Sequence, residues 1–258
     1  MSYQSVTLEE QGGALRVGLN RPDVLNALDR TLLGELAQVL TGEAAADTVR
    51  AVLITGNGRG FCAGADLGAT PLDADIGRVL EESYHPVVRA IAALPKPVVA
   101  GVNGVAAGAG LSLALACDLR IASATATFAL GFTGIGLALD AGASYFLPRL
   151  VGPGRAYELA LGNRRVDAAE ALRIGLVERV ISHESFDLEV MAELVTIARG
   201  PTRAYALVKE ELRAAAANDL EAQLALEARA QSEAAASGDA REGVTAFREK
   251  RAPRFEGR

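Results

Sequence analysis

The alternation of apolar and polar positions along the chain predicts its elements before any chemistry is considered. Ala14–Leu19 alternates with a period of two, which reads as a strand with one buried face. Asn20-Arg21-Pro22-Asp23 follows as a turn, because proline fixes φ and its neighbours are turn formers. Asp29 is placed to cap a helix running to about Ala46. Ala51–Thr55 is unbroken apolar sequence, the signature of a strand buried on both faces. Gly56-Asn57-Gly58-Arg59-Gly60 ends it, and Phe61–Leu67 reads as a short extended piece turning at a glycine. Residues 68–74 read as a mobile loop. Ile76, Val79, Leu80, Val87, Val88 and Ile91 recur at helical spacing, and that helix must end before Pro95. Val98–Val102 and Leu119–Ala122 read as strands on either side of a buried helix. Ala141–Leu150 reads as a helix and Val177–Ile181 as a last strand. From about Phe186 the pattern is helical only. Pro201 opens one helix, and Leu220–Ala236 forms another, with Leu220, Leu224 and Leu226 on its apolar stripe. The order of elements predicts an α/β core followed by a helical tail too thin to hold a core of its own, which must pack on its own domain or on a neighbouring subunit.

Composition narrows the function classes. The 258 residues are 50% apolar and 22% charged, enough for a sizeable core. A net charge of -6 argues against nucleic acid as a principal partner. The apolar stretch 97–117 is interrupted by glycines and Asn103 and closed by Asp118, so it reads as a buried core segment and not a membrane span. The N-terminus lacks the basic and apolar regions of a signal peptide, and Cys62 and Cys117 stand alone; together they predict a cytoplasmic protein with buried thiols. His85 and His183 have no second ligand at metal-binding spacing, so no metal is expected.

The chemistry concentrates between Gly101 and Arg149. Gly104, Gly108 and Gly110 form a glycine-rich turn that runs directly into the apolar segment Leu111–Ala116. Such a junction exposes backbone N–H groups at the start of a buried helix, where they lack partners and the helix dipole adds partial positive charge. Asp140 is the only carboxylate between Asp118 and Glu158, and its neighbours are Leu137, Ala138, Leu139, Ala141, Gly142 and Ala143. A lone acid in such company either caps the helix that follows or does proton chemistry. Asp118 and Arg120 are expected to pair or cap near their strand start.

Several pieces, in this order and spacing, resemble the enoyl-CoA hydratase/isomerase (crotonase) family. They are NRPDVLNALD (20–29), LITGNGRGFCAGADL (53–67), PKPVVAGVNGVAAGAG (95–110), CDLRIAS (117–123), LPRLVG (147–152) and FREKRAPRF (247–255). The resemblance implies a superhelix of ββα units over residues 1–195. It also implies a C-terminal helical region, 196–258, that covers the ligand pocket and supports trimers or dimers of trimers. It implies an acyl-CoA thioester as substrate, with coenzyme A part of that substrate and no separate cofactor. The oxyanion donors fall on the N–H groups of Ala65 and Ala109. Val24, Leu25 and Ala27 look like the segment that touches pantetheine and adenine. Ala63, Asp66, Leu67 and Gly108 border the same site, and Asp66 is more a loop organiser than an acid. Phe132 and Leu137 would line the acyl pocket. Phe247 and Lys250 resemble tail residues that reach coenzyme A, here or on a neighbouring subunit.

The departures from that family pattern matter most. Hydratases of the family carry two glutamates, which would fall at positions 112 and 132; here they are Ser112 and Phe132. Neither activates water at neutral pH, so hydration loses both expected carboxylates. Asp140 offers a replacement, in a pattern GL-x-x-D-x-G (136–142) similar to that of the ring-1,2-epoxyphenylacetyl-CoA isomerases of phenylacetate breakdown. That likeness implies an isomerase acting through two N–H donors and one aspartic acid. Two alternatives stay open: a Δ3,Δ2-enoyl-CoA isomerase or hydratase-like enzyme of fatty-acid oxidation, and a catalytically weak acyl-CoA binder.

Overall fold

A computed structural model describes residues 3–69 and 75–258 of the chain. The predicted loop at 68–74 therefore lies mostly outside the described residues; Gly68 and Ala69 close a turn after Asp66.

Two sheets are stacked by a repeated crossover. The larger has the order β1 (Val6–Gln11), β2 (Ala14–Leu19), β3 (Ala51–Gly56), β5 (Val98–Val102), β7 (Leu119–Ser123) and β10 (Arg179–Ile181). The smaller has the order β4 (Gly60–Cys62), β6 (Val105–Ala107), β8 (Thr127–Ala129) and β9 (Val166–Asp167). β1 and β2 form an antiparallel pair; from β2 to β10 every neighbour in the large sheet is parallel. The pairs β3–β4, β5–β6 and β7–β8 each give one strand to each sheet before the chain turns into helix. This is the ββα superhelix that the resemblance implies. Parallel strands need crossovers that bury both faces, which is why Ala51–Gly56 and Val98–Val102 are buried throughout.

The helices follow from capping and spacing. α1 (Arg30–Thr41) begins where Asp29 accepts a hydrogen bond from the Leu32 amide at 2.8 Å, and it buries Leu32, Leu33, Leu36, Val39 and Leu40. It ends earlier than the predicted Ala46 because Gly42 breaks it; only a 3-10 turn at Glu43–Ala45 continues. The helix after the loop is continuous from Ile76 to Ala93, as α2 (Ile76–Val79), a π-helical stretch Leu80–Tyr84, and α3 (His85–Ala93). α4 (Ala109–Ala116) is buried over its whole length. α5 (Ala143–Val151) starts two residues later than predicted, because Ala141 and Gly142 have φ of 45° and 88° and cannot belong to a helix. α6 (Pro153–Gly162) and α7 (Ala168–Ile174) precede β10.

Phe186, Val190, Met191, Leu194 and Ala198 of α8 (Phe186–Ala198) pack on Leu53, Val99, Ile121 and Ile181 of the large sheet, so residues 195 and 196 lie within one helix of the core. α9 (Thr202–Ala214), α10 (Leu220–Ala235) and α11 (Gly238–Glu249) complete the chain. Asp118 and Arg120 do not pair with each other. Asp118 accepts from the Val98 amide at 2.9 Å and binds Lys209 at 2.7 Å and Arg213 at 3.1 Å, which docks α9 on the sheet. Arg120 pairs with Glu178.

Candidate active site

The crossover from β4 to the start of α4 brings two glycine-rich turns together. Gly64 has φ of 103°, and a β-carbon added there would lie 2.9 Å from the Ala107 carbonyl oxygen and 3.5 Å from the Ala109 amide nitrogen. Only glycine fits both the angle and the space. The amides on either side are then set by the backbone. Leu28 bridges to Ala65: the Leu28 amide donates to the Gly64 carbonyl at 2.7 Å, and the Asp66 amide donates to the Leu28 carbonyl at 2.9 Å. In that arrangement Ala65 itself faces away from Leu28, and its N–H has no partner among the described residues. Ala109 is the first residue of α4, whose first amides have no acceptor inside the helix, and its N–H is likewise without a partner among the described residues. Two unpaired N–H donors thus lie side by side at the positive end of a buried helix. Gly110 permits this closeness: a β-carbon there would meet the Cys62 carbonyl oxygen at 2.3 Å. Cys62 beneath it is fully buried, and burial pushes its thiol up to about 12, so it is packing and not a nucleophile.

Asp140 sits on the loop between β8 and α5. It does not cap α5, whose N-cap is Gly142 with no side-chain hydrogen bond. Its Oδ1 is buried and has no hydrogen-bond partner among the described residues. Desolvation alone raises its pKa from 3.8 to about 6. The positive φ of Ala141, unusual for a residue with a β-carbon, holds the carboxyl out of the helix register. The two positions where family hydratases carry glutamate offer no second acid. Ser112 is fully buried, and its hydroxyl donates back to the Gly108 carbonyl at 3.3 Å, one turn earlier on α4. Phe132 is buried in the main core at the start of the 3-10 turn Thr133–Ile135, and Leu137 lies exposed just beyond it.

The segment 20–29 is braced from below. Leu25 and Asn26 both have positive φ, 52° and 57°. Fully buried Asn26 accepts from the Arg21 amide at 2.8 Å and donates to the Gly60 carbonyl at 2.9 Å, locking this loop to β4. Arg21 reaches the Ala27 carbonyl at 2.5 Å, Asp66 at 3.0 Å and Asp29 at 3.3 Å. The guanidinium holds the Asp66 carboxyl below the usual range, so Asp66 stays ionised and fixes the loop. Val24, Ala63 and Leu67 are exposed, Leu25, Ala65 and Gly108 are half-buried, and Ala27 is buried. Sequence reasoning read Arg21 only as part of a turn and passed over Asn26, whose burial nothing in the sequence announces. It also passed over Tyr84, a buried phenol on the helix whose Val88 lies beside Gly142. Phe247 is 85% exposed on α11, and Lys250 is that helix's left-handed C-cap; within one chain neither hydrogen-bonds to the residues around Ala65, Ala109 and Asp140. No helix among the described residues is long and apolar enough to cross a membrane, and no group of three His, Cys, Asp or Glu side chains among them is placed to hold a metal.

The family described as enoyl-CoA hydratase/isomerase matches residues 9–258, and the chain belongs to it. A Rhodobacter capsulatus protein named "Probable enoyl-CoA hydratase" is 45% identical, over 100% of both chains. The 1,2-epoxyphenylacetyl-CoA isomerase of Escherichia coli is 41% identical, covering 95% of this chain and 96% of that one. The crystal structure of an enoyl-CoA hydratase from Bacillus anthracis superposes with a TM-score of 0.93 at 34% identity, covering 99% of this chain and 100% of the other.

Proposed function

We propose that the protein is an acyl-CoA isomerase in which Ala65 and Ala109 hold a thioester oxygen and Asp140 alone moves the proton. The observation that carries this reading is the environment of Asp140: a carboxyl lifted to about 6 by burial, with Oδ1 unpaired and no second acid at Ser112 or Phe132. Ionised Asp140 takes a proton from the carbon beside the thioester carbonyl. The negative charge passes to the thioester oxygen, where two preorganised N–H donors stabilise it by several kcal/mol in a dry site. The same carboxylic acid returns the proton further along the acyl group, so the product has the formula of the substrate. Activating water would require a second general base that these positions do not supply. Val24, Leu25, Ala27, Ala63, Asp66 and Leu67 would take the coenzyme A moiety, and Phe132 and Leu137 the acyl group. Phe247 and Lys250, at the end of the last helix, would reach the pocket of a neighbouring subunit in a trimer or dimer of trimers.

Two substrates fit this machinery. The E. coli relative's name supports the first, a ring-1,2-epoxyphenylacetyl-CoA converted to its oxepin. The R. capsulatus and B. anthracis relatives, both called hydratases and one of them the more identical, favour the broader second reading, an enoyl-CoA isomerase or hydratase-like enzyme of fatty-acid oxidation, of which the isomerase fits a single carboxyl. A panel of crotonyl-CoA, a 3-enoyl-CoA and the epoxide, followed by absorbance with purified protein, separates them. Isomerisation of either of the last two is expected, with negligible hydration of crotonyl-CoA. Asp140→Asn is expected to lower isomerisation by about 100-fold or more while coenzyme A ester binding persists. Efficient hydration, or a near-normal rate in that variant, would refute the single-carboxyl reading.

A further inference from the structure

α4 is apolar from end to end except for one side chain, Ser112. That residue is fully buried, and its hydroxyl has a single hydrogen-bond partner among the described residues, the Gly108 carbonyl at 3.3 Å. The Ser112 amide donates to the same carbonyl at 3.1 Å, as the helix requires. Stability does not call for the hydroxyl. Alanine is the better helix former, and a serine that bonds back by one turn slightly weakens its helix. The hydroxyl's one partner, however, belongs to the site. The Gly108 carbonyl and the Ala109 N–H are the two ends of one planar peptide group. A donor on the carbonyl oxygen draws electron density from the nitrogen, so the N–H at the other end becomes a stronger donor. This oxygen accepts from two donors, one more than helix geometry supplies. Gly108 has φ of 52° and ψ of −130°, where only glycine rests easily. Both bonds resist any turning of the peptide plane that would swing the Ala109 N–H away from the Gly64–Ala65 turn.

We propose that Ser112 is a positioning residue: through the peptide between Gly108 and Ala109 it aims and strengthens the Ala109 donor without touching the substrate. The inference rests on the reading of Ala65 and Ala109 as donors to a thioester oxygen, but not on the proton transfer by Asp140. Charge on that oxygen grows as the substrate carbon loses its proton, so a stronger donor acts on kcat more than on KM. The size of the effect can be bounded. One oxyanion donor is worth about 100- to 1000-fold in rate, and a neighbouring hydrogen bond strengthens it by about 10–30%. The hydroxyl therefore contributes about two- to fivefold.

Two measurements on the intact protein test it. Infrared difference spectroscopy follows the carbonyl stretch of bound crotonyl-CoA, labelled with carbon-13 at the thioester carbon. Hydrogen bonds to the oxygen lower this frequency, so the wild type is expected to show a band below that of the free ester. Ser112→Ala is expected to show a smaller displacement. Steady-state isomerisation of a 3-enoyl-CoA is expected to lose about two- to fivefold in kcat in the same variant, with KM within about twofold. That variant is expected to melt no lower than wild type, which separates the effect from a loss of fold. Ser112→Thr keeps the hydroxyl and is expected to restore both the band and the rate; if its added methyl unfolds the chain, wild type against Ser112→Ala decides alone. An unchanged band or an undiminished kcat in Ser112→Ala, a loss confined to KM, or a folded Ser112→Thr that behaves like Ser112→Ala would each overturn the proposal. If folded wild type does not bind the ester, or binds it without displacing the band, the oxyanion reading and this inference fall together. A displaced band that persists in Ser112→Ala removes this inference alone. Should no isomerisation be found, the band still decides.

Discussion

An ionised Asp140 works against the stability of the chain that holds it. The folded-state pKa lies at about 6 against an ordinary 3.8, so between these values the folded protein binds the proton that the unfolded chain has released. Stability therefore declines as pH rises from about 4 towards about 6 and then levels. Asp140→Asn removes that charge, and the variant is expected to melt above wild type at pH 8. Its advantage should shrink as the pH is lowered towards 4, a trend that thermal scans at the two pH values would record. The same value sets the activity profile, because the ionised carboxylate takes the first proton. For a 3-enoyl-CoA, kcat/KM is expected to climb with pH and flatten above about 6. A limb centred elsewhere would mean that another group starts the reaction. A destabilising residue at the centre of the chemistry is the usual exchange of stability for function.

At the scale of elements, the site depends on how closely β4 and α4 approach each other. Gly110 and Gly34 provide a matched contrast. A β-carbon at Gly110 would strike the Cys62 carbonyl oxygen at 2.3 Å and its Sγ at 2.7 Å, whereas at Gly34, on α1, it meets nothing within 4 Å. The Cys62 carbonyl belongs to backbone and cannot swing aside. Gly110→Ala is expected to destabilise by about 1–3 kcal/mol and to depress activity further by moving the Ala109 amide. Gly34→Ala removes a helix-interior glycine and is expected to stabilise by about 0.5–1 kcal/mol without touching the rate. Denaturant titrations alongside the isomerase assay check both. Equal effects would mean that the tight contact at Gly110 is not what positions the amide.

At the scale of the whole molecule, the C-terminal helices leave large apolar side chains exposed. Arg50 ties the tail to the core, donating to Thr202 Oγ1 at 2.9 Å and to the Phe255 carbonyl at 3.0 Å. Beside this anchor, an apolar groove of about 510 Å³ runs between α5 and α9, lined by Phe146, Leu150, Tyr205, Val208 and Leu212. Leu220, Leu224, Val244 and Phe247 add exposed apolar area on α10 and α11. Exposed surface of this kind marks an association face. Sedimentation at micromolar concentration is expected to show three chains or a multiple of three. A monomer would withdraw the proposal that Phe247 and Lys250 reach the ligand pocket of a neighbouring subunit.

The sequence by itself determined five of the six strands of the large sheet, all but β1, the Asp29 cap, and the family to which the chain belongs. Those features rest on local rules: unbroken apolar runs at Ala51–Gly56 and Val98–Val102, Asp29 before a helical stripe, glycines where φ or space demands them. It also singled out Asp140, because a carboxylate alone among apolar residues is visible in one dimension. Only the tertiary structure decided what surrounds that carboxylate. The small sheet escaped the sequence because its strands are two or three residues long, too short for a period to show. Asp118 found its partners on α9, some 90 residues away, and Val88 of α3 came to lie beside Gly142 on the Asp140 loop. Capping and patterning act between neighbours in the chain, whereas the pairing of charges and the packing of a helix against a distant loop depend on which surfaces the crossovers bring together.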